Sequence, residues 1–259
     1  MRKESEQFTD STILEGMTSI RALIHAKDAC LNDRPIEVIY YDRSDKARER
    51  DVAYLQAKRA EYGYRMEPMA RADIEAMAIG NTHGGLIARC GTRSLPALAD
   101  SSASLCENGF YAMIDGIEDP YNFGYAIRSL YACGADGLVL GERNWFSAAG
   151  VVCRSSAGAS ESIPVFISSP EDAVRFFREK GYLTVAADLR TDNELGKTPL
   201  PKPILLICGG EKRGISRRVL DLVDLRVKIP YGRDFRASLS AASATTIFSY
   251  EIMRQNLPQ

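Results

Sequence analysis

Three polar side chains that could act on one ligand stand close together in the sequence: Asp119, Asn122 and Arg128. Residues 110–114 before them form an apolar run without helical spacing, which is typical of a buried strand in a parallel sheet. Pro120 cannot donate a backbone hydrogen bond and Asn122 can cap a helix, so we expect the strand to end here and a helix to begin. A helix N-terminus beside a carboxylate and an amide suits a polar or anionic ligand.

Arg128 is the cation that this helix would present. The apolar residues of the predicted helix repeat at the spacing of a single face, which leaves Arg128 on roughly the opposite side, able to reach a ligand. These apolar residues are Phe123, Ile127, Leu130 and Gly134. Asp-Pro turns and capping Asn residues are also common structural devices, so the segment alone leaves a purely structural role open.

Two later segments combine a strand with a turn or a helix start. Residues 204–216 form an apolar strand that runs into a glycine-rich turn containing a carboxylate, Glu211. Residues 227–230, Val-Lys-Ile-Pro, are followed by Ser238-Leu239-Ser240, which opens a helix predicted to run to about Leu257. Gly209 and Gly214 have the spacing of a P-loop, but Ile215-Ser216 stand where the phosphate-binding Lys and Ser/Thr are needed, which disfavours nucleotide hydrolysis.

Together the three segments resemble the three motifs of the SpoU/TrmH-type RNA ribose methyltransferases of the SPOUT superfamily. The resemblance covers about residues 115–254 in the family's order: Asp-Pro-x-Asn-x-Gly-x-x-x-Arg, Gly-x-Glu-x-x-Gly, and Ile-Pro followed by Ser-Leu-x. A shorter similarity lies at 155–159, Ser-Ser-Ala-Gly-Ala, ahead of Ile-Pro-Val. The family's third motif usually reads Ser-Leu-Asn, and Ser240 departs from it.

The resemblance implies an S-adenosyl-L-methionine-dependent enzyme that methylates a ribose 2′-hydroxyl of RNA, with rRNA favoured over tRNA. It implies a parallel-sheet α/β domain with a deep trefoil knot, preceded by a small ribosomal-protein-like α/β domain that binds RNA. It also implies a homodimer whose active site lies beside an interface of the first-motif helix and the C-terminal helix. A knot leaves no trace in periodicity, so this feature comes from the resemblance alone.

The family's motif positions identify the site residues of this chain. The implied cofactor-binding residues are Ala187, Asp188, Leu189, Gly209, Gly210, Ile229, Ser238 and Leu239. The implied catalytic residues are Asn122, Arg128, Glu211, Ser238 and Ser240. The backbone would provide most cofactor contacts, the two glycines would let it approach closely, and the apolar side chains would press on the adenine.

Arg128 would hold the phosphate next to the target ribose and stabilise the developing alkoxide. A guanidinium stays protonated in proteins, so the proton acceptor remains open. Glu211 would pair with or orient Arg128, although a solvent-exposed turn carboxylate is the ordinary alternative. Asn122 would bond Arg128, the ribose or only its own helix.

The composition sets limits on other functions. A net charge of −1 and a pI near 6.2 give no overall nucleic-acid signal, so RNA would need a local basic patch. Six cysteines without a C-x-x-C pair, and no signal peptide or long apolar span, indicate reduced thiols in a cytoplasmic protein without a membrane anchor. Two histidines are too few for a His-rich zinc site or a convincing Ser-His-Asp triad, so we expect no metal.

The chain of 259 residues is long enough for two domains. We predict an N-terminal RNA-binding α/β domain with its linker over 1–105 and the catalytic domain over 106–259, because residues 91–108 are rich in Ser and Ala. The first domain is predicted to have helices at 20–31, 51–62 and 72–79 and strands at 36–41, 65–68 and 86–88. The second is predicted to have a mostly parallel sheet with strands near 110–114, 137–140, 164–167, 183–187, 204–208 and 225–229.

Three points of function stay open in the sequence. Residues 82–88 resemble the closing His-x-Gly segment of the family's RNA-binding extension, but a hydrogen-bonded turn is the favoured role for His83. Ser240 in place of Asn raises the alternative of a catalytically disabled RNA- or ribosome-binding relative, whereas the presence of Arg128 and Glu211 argues against it. A tRNA substrate is the other alternative.

Overall fold

The structure is a computed structural model that describes residues 12–141, 148–210 and 213–258. The strands are β1 (Thr12–Glu15), β2 (Ile36–Asp42), β3 (Arg65–Met69), β4 (Leu86–Cys90), β5 (Phe110–Asp115), β6 (Gly137–Leu140), β7 (Val165–Ile167), β8 (Leu183–Ala187), β9 (Ile204–Gly209) and β10 (Leu225–Val227). The helices are α1 (Gly16–Asp28), α2 (Glu49–Tyr62), α3 (Arg71–Met77), α4 (Pro120–Ala132), α5 (Ala149–Ser155), α6 (Ala159–Ser162), α7 (Pro170–Glu179), α8 (Arg217–Leu220) and α9 (Ala241–Gln255).

The chain forms two compact units. The N-terminal unit consists of residues 1–94 and 144–162, and the C-terminal unit of residues 95–143 and 163–259. The predicted division near residue 105 differs from this, because Leu98 is buried in the core of the C-terminal unit. Residues 144–162 return to the N-terminal unit, which the sequence did not indicate.

The N-terminal unit contains a four-stranded sheet in the order β1-β4-β2-β3, in which β2 and β3 are parallel and the other pairs antiparallel. Ile20, Leu23 and Ile24 of α1 are fully buried, because they recur at helical spacing on the face that packs on the sheet. The predicted helices and strands are confirmed to within about four residues at their ends. β1 was not predicted, and most of the polar segment expected to fray, residues 1 to about 12, lies outside the described residues.

A buried ion pair joins α6 to the N-terminal unit. Arg34 Nε lies 2.9 Å from Glu161 Oε2, and each side chain is only 3% exposed. Asn32 Nδ2 donates to the same oxygen at 2.9 Å. A buried charge is tolerated only when it is paired and hydrogen-bonded, so these contacts fix the returning segment in this unit.

His83 has a structural position in the same unit. It is 3% exposed, and its Nδ1 accepts a hydrogen bond from the Gly85 amide at 3.2 Å. This is the hydrogen-bonded turn that the sequence favoured over an RNA contact.

The C-terminal unit contains a six-stranded sheet in the order β10-β8-β9-β5-β6-β7, and every pair in it is parallel. This confirms the predicted parallel sheet. Residues 110–114 of β5 are all buried, as expected for a central strand covered on both faces. β10 ends at Val227, two residues earlier than predicted, because Lys228 turns away to exchange backbone hydrogen bonds with residues 193 and 195.

Helices α4 and α9 pack against each other in this unit. The Ser129 and Thr246 hydroxyls, one from each helix, lie 2.6 Å apart. Within the described ranges, no helix has the length and apolar character that crossing a bilayer requires.

Candidate active site

A cavity of about 350 Å³ opens at the carboxyl ends of β8, β9 and β10. This size lies within the range of small-molecule sites, roughly 300–1,000 Å³, and the ends of parallel strands are where α/β sheets usually bind ligands. All eight sequence-predicted cofactor residues line the cavity: Ala187, Asp188, Leu189, Gly209, Gly210, Ile229, Ser238 and Leu239. The end of β8 and the second and third motif segments, distant in sequence, therefore contribute to one concave surface.

The glycine-rich turn after β9 closes against the end of β5. A Cβ added to Gly210 would lie 1.9 Å from the carbonyl oxygen of Gly116, and one added to Gly209 would lie 2.4 Å from the carbonyl carbon of Gly214. The sequence predicted that these glycines admit the cofactor. The structure gives a different reason: at both positions the backbone of the chain itself occupies the space of a side chain.

Asp188 provides an unusual polar group in the cavity wall. Its side chain is 9% exposed, and its Oδ1 accepts a hydrogen bond from the Arg190 amide at 3.1 Å. Its Oδ2 is buried and has no hydrogen-bond partner among the described residues. A buried carboxylate oxygen without a donor is costly, so this atom suits a ligand that carries hydroxyl or ammonium donors.

The other side of the cavity is apolar. Ile229, Leu239 and Phe248 line it, and they suit a flat, weakly polar ring. Cys208 also lines the cavity, but burial raises the pKa of its thiol to about 11, and the thiol stays protonated near neutral pH. Because the thiolate is the reactive form, Cys208 is unsuited to be a nucleophile.

The two predicted catalytic residues of the first motif lie on α4 and are not among the cavity-lining residues. The side chain that caps this helix is Asp119, which accepts from the Asn122 amide at 3.0 Å. The expectation that Asn122 caps the helix is therefore wrong, because the helix already begins at Pro120 and Asn122 lies in its first turn. Arg128 is exposed on the side of α4 away from the core, as its spacing predicted.

The remaining predicted catalytic residues have different positions. Ser238 is exposed and lines the cavity. Ser240 does not line it; its hydroxyl caps α9 by accepting from the Ser243 amide at 3.1 Å. Glu211 lies outside the described residues.

Three polar cavity residues were missed at the sequence level: Arg190, Lys228 and Tyr231. Each lies within a few residues of the end of a predicted strand, so their position near a strand end was the available signal. Their side chains add two positive charges and a phenol at this end of the sheet. In the described ranges no three His, Cys, Asp or Glu side chains form a group that could hold a metal ion.

Comparison with known proteins adds an independent observation. The sequence profile of the SpoU rRNA Methylase family matches residues 109–250. A protein of Shewanella oneidensis named 23S rRNA (guanosine-2'-O-)-methyltransferase RlmB is 27% identical over 235 residues, which cover 90% of this chain and 95% of that protein. YacO of Bacillus subtilis, named a putative TrmH family tRNA/rRNA methyltransferase, is 27% identical over 200 residues, which cover 76% of this chain and 80% of that protein.

Solved structures share the fold. The AdoMet-bound rRNA methyltransferase of Sinorhizobium meliloti superposes with a TM-score of 0.78 at 23% identity, covering 96% of this chain and 88% of that one. The SpoU methyltransferase AviRb of Streptomyces viridochromogenes, in complex with AdoMet, gives a TM-score of 0.75 at 23% identity, covering 95% of this chain and 90% of that one. The family profile spans more than half of the chain and includes all three motif segments. The chain therefore belongs to the SpoU rRNA Methylase family.

Proposed function

We propose that the chain is an S-adenosylmethionine-dependent RNA methyltransferase that modifies a ribose 2′-hydroxyl of ribosomal RNA. The observation that carries this proposal is the convergence of all eight predicted cofactor residues on one cavity. The names and extent of the relatives support ribosomal RNA, since the Shewanella protein named for 23S rRNA aligns over 90% of this chain, including most of the N-terminal unit.

The cavity fits the cofactor. Ile229 and Leu239 provide apolar walls for the adenine, and Gly209 and Gly210 line the same cavity. Asp188 Oδ2, which has no hydrogen-bond partner among the described residues, can accept hydrogen bonds from the ribose hydroxyls or the ammonium group. When bound, the cofactor supplies an electrophilic methyl group on a sulfonium.

Arg128 then has the role of binding the RNA. Its guanidinium offers a planar pair of donors that matches the phosphate next to the target ribose and stabilises negative charge developing on the 2′-oxygen. Because a guanidinium stays protonated in proteins, it is unsuited to remove the proton. Holding the hydroxyl in line with the methyl group can lower the activation free energy of the transfer by several kcal/mol. Asn122, Glu211 and Ser238 are proposed to orient the ribose and Arg128.

The assembly proposed for this site is a homodimer formed through α4 and α9. Several large apolar side chains of these two packed helices are exposed: Tyr121, Tyr125, Tyr131, Ile247 and Tyr250. Exposed aromatic and aliphatic side chains concentrated on adjoining helices are typical of a protein interface. Arg128 lies on the same helix, so a dimer of this kind places it beside the interface. Light scattering that gave the monomer mass of 28.6 kDa at micromolar concentration would contradict this assembly.

The proposal also includes a deep trefoil knot in the C-terminal unit and a ribosomal-protein-like, RNA-binding role for the N-terminal unit, in a cytoplasmic enzyme. The knot rests on the resemblance to the SPOUT superfamily, and the strand order, in which the chain leaves β9 and returns to the sheet beyond β8, is compatible with it. The described cysteines are all free, which agrees with a reducing compartment.

Transfer of labelled methyl groups to total RNA from cells that lack the gene tests this function. We expect label in the large ribosomal RNA, at one ribose. Label in tRNA would move the substrate to the alternative that the name of the Bacillus relative includes. No transfer, with cofactor binding intact, would favour a disabled RNA-binding relative.

A further inference from the structure

The segment between β10 and α9 carries an exposed aromatic ring. Phe235 is 53% exposed, although phenylalanine is among the residues most often buried. Its ring packs on Tyr231, with ring centroids 5.8 Å apart and planes tilted by 58°. More than half of the Phe235 surface remains open to solvent, so the ring is supported but not covered.

Tyr231 connects this ring to the active-site cavity. Tyr231 lines the cavity, and its hydroxyl accepts a hydrogen bond from the Leu239 amide at 3.3 Å. Leu239 lines the cavity as well. Phe235 therefore packs directly on one residue of the cavity wall, and the hydroxyl of that residue is hydrogen-bonded to a second one.

Two arginines accompany the exposed ring. Arg233 and Arg236 are exposed, and within the described part of the chain neither forms an ion pair. Other arginines of the C-terminal unit do pair, such as Arg178 with Asp224 at 3.0 Å and Arg226 with Asp221 at 3.1 Å. The guanidinium groups of this segment are thus available to an external anion.

An exposed ring between unpaired guanidinium groups is suited to single-stranded nucleic acid. Aromatic side chains stack on the faces of unpaired bases, and arginines bind the neighbouring phosphates. A continuous duplex offers no free base face to such a ring, because its bases are already stacked on each other.

We propose that Phe235 stacks on an unpaired base of the substrate RNA next to the nucleotide that approaches the cofactor in the cavity, while Arg233 and Arg236 bind the adjoining phosphates. This inference rests on the proposed methyltransferase function and specifies its substrate. The target ribose lies in a loop, bulge or single-stranded segment.

Binding of the full-length protein to a single-stranded oligoribonucleotide tests the stacking. The RNA carries a fluorescent adenine analogue whose emission falls on stacking, and its duplex form serves as the comparison. We expect the single strand to be bound more tightly and its emission to be quenched. Phe235→Ala should weaken binding by about tenfold, in line with the loss of one base–aromatic stack, and remove the quenching.

Two further variants separate stacking from general contact. Phe235→Tyr keeps an aromatic face and should retain affinity and quenching. Phe235→Leu keeps an apolar side chain without that face and should behave like Phe235→Ala. The double change Arg233→Gln and Arg236→Gln should make binding less dependent on salt, because about two fewer counterions are released.

Other outcomes would overturn the inference. Phe235→Leu with wild-type affinity and quenching would exclude stacking, and equal affinity for strand and duplex would exclude an unpaired target. If a Phe235 variant has unchanged RNA binding but a changed mass by light scattering, the ring forms a contact between copies of the chain instead. Calorimetry with S-adenosylhomocysteine and a methyl-transfer assay separate the two proposals. If Phe235→Ala still binds the cofactor, still transfers methyl groups and has unchanged RNA affinity, only the stacking role is rejected. If the wild type neither binds the cofactor nor transfers methyl groups, the proposed methyltransferase function is rejected.

Discussion

Gly210 and Gly116 lie in direct backbone contact, so close that a Cβ at Gly210 would stand 1.9 Å from the carbonyl oxygen of Gly116. The Gly210 amide also donates to the Asp115 carbonyl at 2.6 Å. The main chains of the first and second motif segments are therefore in direct contact. One wall of the cavity depends on this contact.

Gly210→Ala should destabilise the protein by about 3 kcal/mol or more, because backbone and not a flexible side chain occupies the space of the added methyl group. Cofactor binding should be lost with it. Gly232→Ala is the matched control, since no atom lies within 4 Å of its added Cβ, and it should change stability by less than about 0.5 kcal/mol. Thermal unfolding of the two variants measures this. Equal unfolding temperatures would show that the motif contact is looser than described.

The wild-type protein should bind S-adenosylhomocysteine in the presence of EDTA, and Asp188→Asn should bind it about tenfold or more weakly, since a charged acceptor contributes roughly 1.5–3 kcal/mol. Without ligand, the variant should be at least as stable as the wild type, because the partnerless buried oxygen is costly. The exposed Asp192→Asn is the control. Calorimetry measures the affinity of each variant. If the wild type gives no binding heat at millimolar cofactor, the proposed methyltransferase function is contradicted.

Arg128→Ala should abolish methyl transfer while cofactor binding and unfolding temperature stay near wild type, because Arg128 is exposed and makes no ion pair with the described residues. Arg128→Lys should also fail, since an ammonium cannot reproduce a planar two-pronged contact. Single-turnover rates on one RNA substrate provide the measurement. Near wild-type turnover in Arg128→Ala would mean that this arginine is only a surface residue.

Ser240 should be sufficient for activity as it stands. Ser240→Asn should be tolerated because Asn caps a helix as well as Ser does, whereas Ser240→Ala should cost about 1 kcal/mol of stability through loss of the α9 cap. Ser240→Ala should lower turnover less than Arg128→Ala does. Steady-state rates and unfolding curves of both variants test this. An inactive wild type rescued by Ser240→Asn would instead identify a disabled relative.

Glu161→Ala should destabilise the full chain by about 3–5 kcal/mol, because it leaves Arg34 buried and unpaired. Replacing both partners, Arg34→Met with Glu161→Leu, should recover much of that loss. The exposed pair of Arg217 and Asp221 offers a control, whose removal should cost less than about 1 kcal/mol. Chemical denaturation measures the free energy of unfolding of the single variant, the double variant and the control. A small effect of Glu161→Ala would mean that water reaches Arg34.

The sequence predicted those features whose causes are local. β5 followed from five consecutive apolar residues, and the exposed side of α4 followed from helical spacing. β1 could not be predicted in this way, because four residues gain their structure by pairing with β4, far along the chain. Motif positions identified the cavity residues, while the partnerless oxygen of Asp188 became visible only once its neighbours were known.

Some alternatives were decided by a single neighbouring residue. Asp119 and Asn122 are both good capping residues, and the start of α4 at Pro120 selected Asp119. The need for glycine at 210 comes from Gly116, which no local pattern connects with it. Likewise, the partner of Arg34 is Glu161, so the return of residues 144–162 to the N-terminal unit depends on a contact distant in sequence.

The pairing of β5 with β9 determines when this protein can fold during its synthesis. β5 ends at Asp115, but the strand that covers its second edge begins only at Ile204. Until that part of the chain has been translated, β5 presents an apolar strand with an unpaired edge, which is a template for aggregation. Sheets closed by such distant pairs also fold slowly. The nascent chain is therefore most vulnerable in the interval between the emergence of these two strands.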